Sequence, residues 1–301
     1  MAYPDATTVT TAAVFIPELW SDEVIAAYKA NLVLAALVTN FNHQGKKGDV
    51  LRLPTPARAA ASAKTANALV DPIQSTETDT TITINKHYEY SRLIEDIVEV
   101  QALDSLRQFY TDDAGYALAT QVDSDLHLIG RVLQGGTDDA TWDAAVIGSD
   151  GATAYIGTNE AALADVGIRA MIQTLDDANT PQRDRVMVIP PVSKNTLLGL
   201  ARFTEQAFVG EVGMANSIRN GRLGNIYGTE VFVSTQCPTA TGAARIGLLM
   251  HKSAMALVTQ IDIRMQTQYK QEYLADLITA DSLFGTGLLR SDAGIAFAVV
   301  A

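Results

Sequence analysis

The chain has 301 residues, 48% hydrophobic, 19% charged and only 7% aromatic, with a formal charge of −12. This is globular composition, enough for one large domain or two modest ones, with a core built from many small and aliphatic contacts. The acidity argues against a nucleic-acid-binding chain, whose affinity would come from Lys and Arg displacing counterions from phosphates; the densest basic spot is GKKGD at 45–49.

The opening MAYPDATTVTTAAVF has no basic n-region and no apolar h-region, so no signal peptide is expected. The longest apolar runs, LVLAALV (32–38) and AGIAFAVVA (293–301), are too short to span a bilayer. A soluble chain with no membrane partner is expected. Residues 1–16 read as a Thr/Ala-rich arm, ordered only if something holds it. Pro17 suits the first turn of a helix, and Trp20, Val24, Tyr28 and Leu32 recur every four residues as one apolar stripe. The pattern predicts a helix running to about Thr39.

GDVLRLP (48–54) predicts a short strand, and DTTITINKHYEYS (79–91) its antiparallel partner. In the second, Ile82, Ile84, Lys86, Tyr88 and Tyr90 share one face, and Thr81, Thr83, Asn85, His87 and Glu89 the other. Between the two lies TPARAAASAKTANALVDPIQSTET (55–78), small-sided and poor in core material. Structureless loops beyond about 12–15 residues are uncommon in compact domains and are usually functional or disordered.

From Leu103 to Leu133 runs the longest periodic segment, with Leu103, Leu106, Tyr110, Ala114, Ala117, Val122, Leu126, Ile129 and Leu133 marking one face. Asp104, Asp112, Asp113 and Asp123 fall largely elsewhere. The helix would be about 45 Å long at 1.5 Å per residue. It lacks the a/d heptad of a coiled coil, and QGG (134–136) ends it. After a Gly/Asp/Thr-rich connection (137–158), a helix is predicted over 160–178, with Leu163, Val166, Ile168, Met171, Ile172 and Leu175 inward. RVMVIPP (185–191) reads as a buried strand. SKNTLLGLARF reads as a helix with Ser193 as N-cap. TEVFVST (229–235) and RIGLLMH (245–251) read as further strands, and the end of the chain is mixed, with a strand at each limit.

No motif for catalysis stands out. There is no zinc pattern, CxxC pair, phosphate-binding loop or GxSxG elbow. His43, His87, His127 and His251 are scattered, as solvated or core histidines are. The lone Cys237 excludes an intrachain disulfide and reads as a buried structural thiol. GRLGNIYG (221–228) has a strand after it instead of before it, so its glycines read as turn chemistry, not a dinucleotide fingerprint. The adjacent pairs Asp112/Asp113 and Asp138/Asp139 read as solvated acidic faces. No catalytic, cofactor-binding or metal-ligating residue is assigned, and no enzymatic role is expected.

The order of elements carries a resemblance. FIPELWSDEVIAAYKANLVLAALVTNF (15–41), GDVLRLPTP with TDTTITINKHYEYSRLIEDI, GRLGNIYGTEVFVST and GTGLLRSDAGIAFAV (285–299) resemble, in sequence order, parts of the major capsid proteins of tailed bacteriophages. The resemblance implies an α+β, Hong Kong 97-type capsid fold. Its parts would be an N-terminal arm and entry helix (1–47), an E-loop hairpin (48–91), a P-domain spine helix (92–135), an A-domain (136–258) and a return to P-domain strands (259–301). It implies a coat protein that self-assembles through pentamers and hexamers into an icosahedral head around double-stranded DNA, without sequence-specific binding. A separate scaffolding protein, a portal and optionally a decoration protein would be its partners, and the virion, assembled in the bacterial cytoplasm, its location. No cofactor is implied. An E-loop cannot bury itself, so inter-subunit contacts are expected through Arg58, Lys64, Leu69, Val70 and Ile73, and 205–222 would approach a symmetry axis. A covalent cross-link through Lys64 has no identifiable acceptor. The rival readings are an encapsulin-like cellular shell, which shares the fold, and a soluble α+β enzyme.

Overall fold

The computed structural model describes residues 32–44, 47–55, 60–67, 69–70, 77–97, 105–200 and 224–300. The described elements begin with a short helix α1 (Leu34–Leu37) and strand β1 (Thr39–Asn42). Of the helix predicted to run to about Thr39, the described residues show the short α1, and Thr39 opens a strand. The reason is tertiary: residues 39–42 run parallel to residues 256–259 of a strand more than two hundred positions away. The arm at 1–16 and the stripe residues Trp20, Val24 and Tyr28 lie outside the described residues.

Strands β2 (Val50–Thr55) and β3 (Thr78–Thr83) form a two-stranded antiparallel ribbon, Val50 opposite Thr83 and Thr55 opposite Thr78. The partner predicted as one strand is two. It breaks at Ile84–Asn85, and β4 (Lys86–Glu95) joins another sheet. The alternation still holds across the break: Ile82 and Ile84 are buried, Lys86, Tyr88 and Tyr90 half-buried, and the opposite face exposed.

Helix α2 (Ser105–Ile129) is the long helix, continued by a 3-10 turn to Gly135. It lies on a four-stranded sheet ordered β1-β10-β11-β4, whose central blade is β10 (Met255–Lys270) and β11 (Ala275–Leu288). Ala114 and Leu118 pack with Ala280 against Tyr88 and Tyr90. Tyr90 donates to Asp113 at 3.0 Å, and the Arg92 guanidinium sits 5.8 Å and 5.4 Å from the Tyr90 and Tyr110 rings. The buried face is rotated from the predicted one. Ala117 is exposed, whereas Leu118, Asp123, Asp125 and His127 are buried. Polar groups can occupy that face because partners from other elements meet two of them, as described below.

The second half builds a six-stranded sheet. In chain order its parts are β5 (Val146–Ile147), helix α3 (Asp165–Asp177), β6 (Arg185–Ile189), helix α4 (Pro191–Leu198), β7 (Asn225–Ile226), β8 (Thr229–Val233), β9 (Arg245–His251) and β12 (Gly294–Val299). The strand order is β5-β12-β9-β6-β8-β7, so the last strand of the chain sits inside this sheet. β6 is buried throughout and pairs parallel to β8 and antiparallel to β9. Ile168, Met171 and Leu175 of α3 pack on Met187, Ile189, Leu249 and Phe297, while Val166 faces out. Gly247 is required by close approach: a Cβ there would lie 2.4 Å from the Phe297 ring. Arg185 is buried yet satisfied, donating to Asp176 and to the Thr180 carbonyl at 2.6 Å each and to the Pro181 carbonyl at 2.8 Å.

Helix α4 does not use Ser193 as its cap. Pro190 is the N-cap and Pro191 the first helical residue, where a missing N–H is harmless, and the Ser193 hydroxyl is buried within the helix. The turn reading of the glycine run holds where it is described. Tyr227 and Gly228, both with positive φ, form the two-residue connection between β7 and β8. Cys237 is buried, and burial pushes its thiol up to about 12. It is the inert structural thiol expected.

Candidate assembly surfaces

The ribbon β2–β3 is rooted firmly at its base. Leu51 and Leu53 pack with Ile82, Ile84, Ala256 and Val258 in a small core of their own. Past Thr55 and Thr78 that core is gone. Residues 60–67, 69, 70 and 77 are all exposed, with Leu69 at 97% and Val70 at 73%. Two large apolar side chains standing almost wholly in water on one excursion are what a surface awaiting a partner presents. Lys64 is exposed on the same excursion. Arg58 and Ile73, the other two expected contacts, lie outside the described residues, as does the loop 205–222.

A second surface was not singled out from the sequence. β1 covers β10 only over 256–259, so the outer edge of β10 from Ile261 onward has no described strand beside it. Such an edge offers free N–H and C=O groups to another chain. Ile263, Met265 and Tyr269 are exposed along it at even spacing, Tyr273 and Leu274 are exposed at its turn, and Leu93 and Ile97 are exposed on neighbouring chain. The signal was present as a period-two alternation in IDIRMQTQY; what it lacked was any hint of which face would be covered. Arg264 makes two bonds to Asp281, at 2.7 Å and 2.8 Å, and His87 reaches Asp281 at 3.3 Å, lacing β10, β11 and β4 together. The Arg264 hydrogen bond, with help from His87, holds the Asp281 carboxyl below its ordinary value. Tyr269 donates to Asp96 at 2.7 Å, fastening the far end of the blade.

Polar groups buried on α2 tie that helix to α1 and to β4. Asp125 lies 3.2 Å from the ammonium of Lys86, the first residue of β4. The Leu34 N–H donates to Asp123 at 2.8 Å, so a side chain 89 positions away caps α1, whose own N-cap, Val33, offers none. Burial raises the Asp123 carboxyl, opposed by the backbone N–H groups of Leu34, Val33 and Ala35. His127 lies 3.6 Å from Asp123, with both side chains 1% exposed, and burial pushes the imidazole from 6.5 down to about 4.

These shifts predict an acid-labile subunit. The unfolded chain protonates its histidine near 6.5 while folded His127 resists to about 4, so this contribution is complete above 6.5 and is lost as pH falls through that window. The loss by pH 4 should be on the order of 3 kcal/mol. Asp123 works in the opposite sense, since the folded state binds its proton first and acid relieves it. Urea unfolding of wild type and His127→Leu at a series of pH values checks this. The variant should lose most of the slope between 6.5 and 4, and an unchanged slope would clear His127 of the role.

Among the described residues no three or more His, Cys, Asp and Glu side chains gather as a metal cluster, and no helix is long and apolar enough to cross a membrane. No family model matches the chain, and no curated protein matches it in sequence. Solved structures do match. A chain from Mycobacterium phage Che8 is 24% identical, with a TM-score of 0.75 over 94% of this chain and 97% of that one. The capsid structure of the cyanophage P-SCSP1u matches at 18% identity and a TM-score of 0.78, over 99% and 97%. The capsid of Ralstonia phage GP4 matches at 15% identity and a TM-score of 0.70, over 99% and 98%.

The chain has the Hong Kong 97-type capsid fold. The likeness covers nearly the whole of this chain and nearly the whole of each matched chain.

Proposed function

We propose that the chain is the major capsid protein of a tailed phage, a structural subunit without enzymatic activity that assembles with copies of itself into an icosahedral head around double-stranded DNA. One observation carries the reading: a chain with the capsid fold over nearly its whole length holds a rooted ribbon beyond which the described residues, Leu69 and Val70 among them, are exposed. Extended segments of this kind recover in contacts between copies what they lack in a private core. Arg58, Lys64, Leu69, Val70 and Ile73 are its proposed contacts, with the basic pair meeting acidic surface that a chain of charge −12 supplies.

The division proposed is arm and entry helix (1–47), E-loop (48–91), spine helix (92–135), A-domain (136–258) and P-domain strands (259–301), the last strand being seated in the six-stranded sheet. Copies would first close as a procapsid and then expand as DNA enters. The acidic chain holds that DNA without gripping it, which suits a container that must release its contents. Scaffolding protein, portal and any decoration protein are separate chains in this reading, and assembly takes place in the host cytoplasm. Expression with the neighbouring genes, followed by negative-stain electron microscopy, tests it. Closed shells or capsomer-like rings are expected. A stable monomer or dimer under all conditions, with turnover of a small molecule, would overturn it.

A further inference from the structure

The four-stranded sheet has two open edges. β1 covers β10 only over 256–259, and β4 is the last strand on the other side. Among the described residues no strand lies beside β10 over 264–270, nor beside the outer edge of β4. Both segments are largely exposed. Each edge offers a row of backbone N–H and C=O groups to a further strand.

The register across the blade sets the side chains in rows, and the rows show which strand fits. On one face they are Arg264–Asp281–Glu89, Gln266–Thr279–Ser91, Gln268–Leu277–Leu93 and Lys270–Ala275–Glu95. The first and last rows each begin with a cation on the β10 edge and end with a carboxylate on the β4 edge. In the last row Ala275 stands between the two charges, which lie about 10 Å apart across two strand spacings. In the first row the Arg264 guanidinium is bonded to Asp281, and Glu89 at the far end is exposed. On the other face Met265 shares a row with Tyr90, and Tyr269 with Ile94. The two edges are therefore complementary, cation to carboxylate at the outer rows and apolar to apolar between them.

Their directions agree as well. β10 and β4 are each antiparallel to β11, so they run the same way. A second blade brought alongside with the same face turned the same way would set its β4 parallel to β10. Symmetric pairings meet like charges. β10 against β10, antiparallel over the same rows, puts Arg264 opposite Lys270, and β4 against β4 puts Glu89 opposite Glu95. Like charges directly opposite destabilise a strand pair.

We propose that the β4 edge of one copy adds to the β10 edge of the next, parallel and in the register of the rows. Arg264 and Lys270 then meet Glu89 and Glu95 of the neighbour, and Met265 and Tyr269 meet its Tyr90 and Ile94. The contact is head to tail, so each copy keeps an edge of either kind for a further copy, as rings and filaments require. The inference rests on the proposed self-assembly and adds to it a contact separate from the excursion at 55–78.

Two experiments on the full chain test it. Lys270→Glu alone and Glu95→Lys alone each set like charges at every contact, and each should lower the yield of shells about tenfold or more. Co-expressed in equal amounts, the two variants should recover most of the wild-type yield, because alternating copies again pair a cation with a carboxylate. Two singles that assemble as wild type, or a mixture no better than the singles, would overturn the pairing. The second experiment mixes chains carrying Gln266→Cys with chains carrying Ser91→Cys and oxidises them. Within one chain these two positions are separated by β11, too far apart for a disulfide. Cys237 stays silent because its thiol is buried. A disulfide-linked dimer is expected from the mixture and not from either variant alone. Shells that form without this dimer would overturn the edge pairing and leave the capsid reading standing. A wild-type chain that stays monomeric under all conditions would overturn both.

Discussion

Replacing Leu69 and Val70 together by aspartate should leave a folded, soluble subunit that no longer forms shells. At 97% and 73% exposure these side chains contribute little to the isolated fold, so the unfolding free energy should move by less than about 0.5 kcal/mol. Between copies the effect is far larger. Full burial of a Leu or Val side chain is worth about 1.5–3 kcal/mol, and the variant replaces that gain with two carboxylates. They would have to be desolvated against a neighbour that is itself acidic. The loss recurs at every subunit, so assembly should fail as a whole. Size-exclusion chromatography and electron microscopy read the assembly, and thermal unfolding reads the fold. Shells formed at the wild-type level would show that the excursion is a mobile surface loop without a partner. Deleting residues 57–76 should give the same outcome more bluntly.

Trp142→Ala should strike the subunit itself. Trp142 is 1% exposed and belongs to the largest core cluster, with Leu126, Leu133, Ile246 and Leu248. It joins the end of the long helix to the six-stranded sheet, with the Arg131 guanidinium 5.5 Å from its ring. A Cβ on Gly130 would come within 3.3 Å of the Trp142 ring and 2.5 Å of Leu248, so helix end, indole and strand are in close contact. Truncation of a buried tryptophan removes its transfer energy and leaves a cavity, at a cost of about 3–5 kcal/mol. For a chain of this size the melting temperature should fall on the order of 10 °C. A fall of only a degree or two in calorimetry would mean that the helix end and the sheet repack around the gap.

The elements most legible in the sequence are those whose pattern and partner are both local. The alternation through Ile82, Ile84, Lys86, Tyr88 and Tyr90 placed the inward face correctly although the strand breaks at 84–85 and its two halves enter different sheets. RIGLLMH is a strand over all seven of its residues, and RVMVI is buried throughout. The long helix was visible in outline, but its buried face was not, because Asp123, Asp125 and His127 look like surface residues until α1 and Lys86 arrive as partners. The β10–β11 blade was least legible. Its sixteen-residue strand carries polar side chains at exposed positions and its fourteen-residue partner carries them at half-buried ones, and pairing across the blade makes them strands. Of the candidate surfaces, the excursion at 55–78 announced itself by lacking core material, whereas the edge at Ile263, Met265 and Tyr269 did not.

By itself the sequence determined the acidic character of the chain, the long helix, the ribbon with its core-poor excursion, and the order of parts that resembles a capsid subunit. These follow from composition and short-range periodicity, which act within a few residues. The tertiary structure alone decided that Thr39–Asn42 is a strand, that Asp123 caps a helix 89 positions away, and that the last strand crosses into the six-stranded sheet. Each of these depends on a backbone or side-chain hydrogen bond satisfied by a distant segment, and no local pattern can name a partner that only the folded chain brings near.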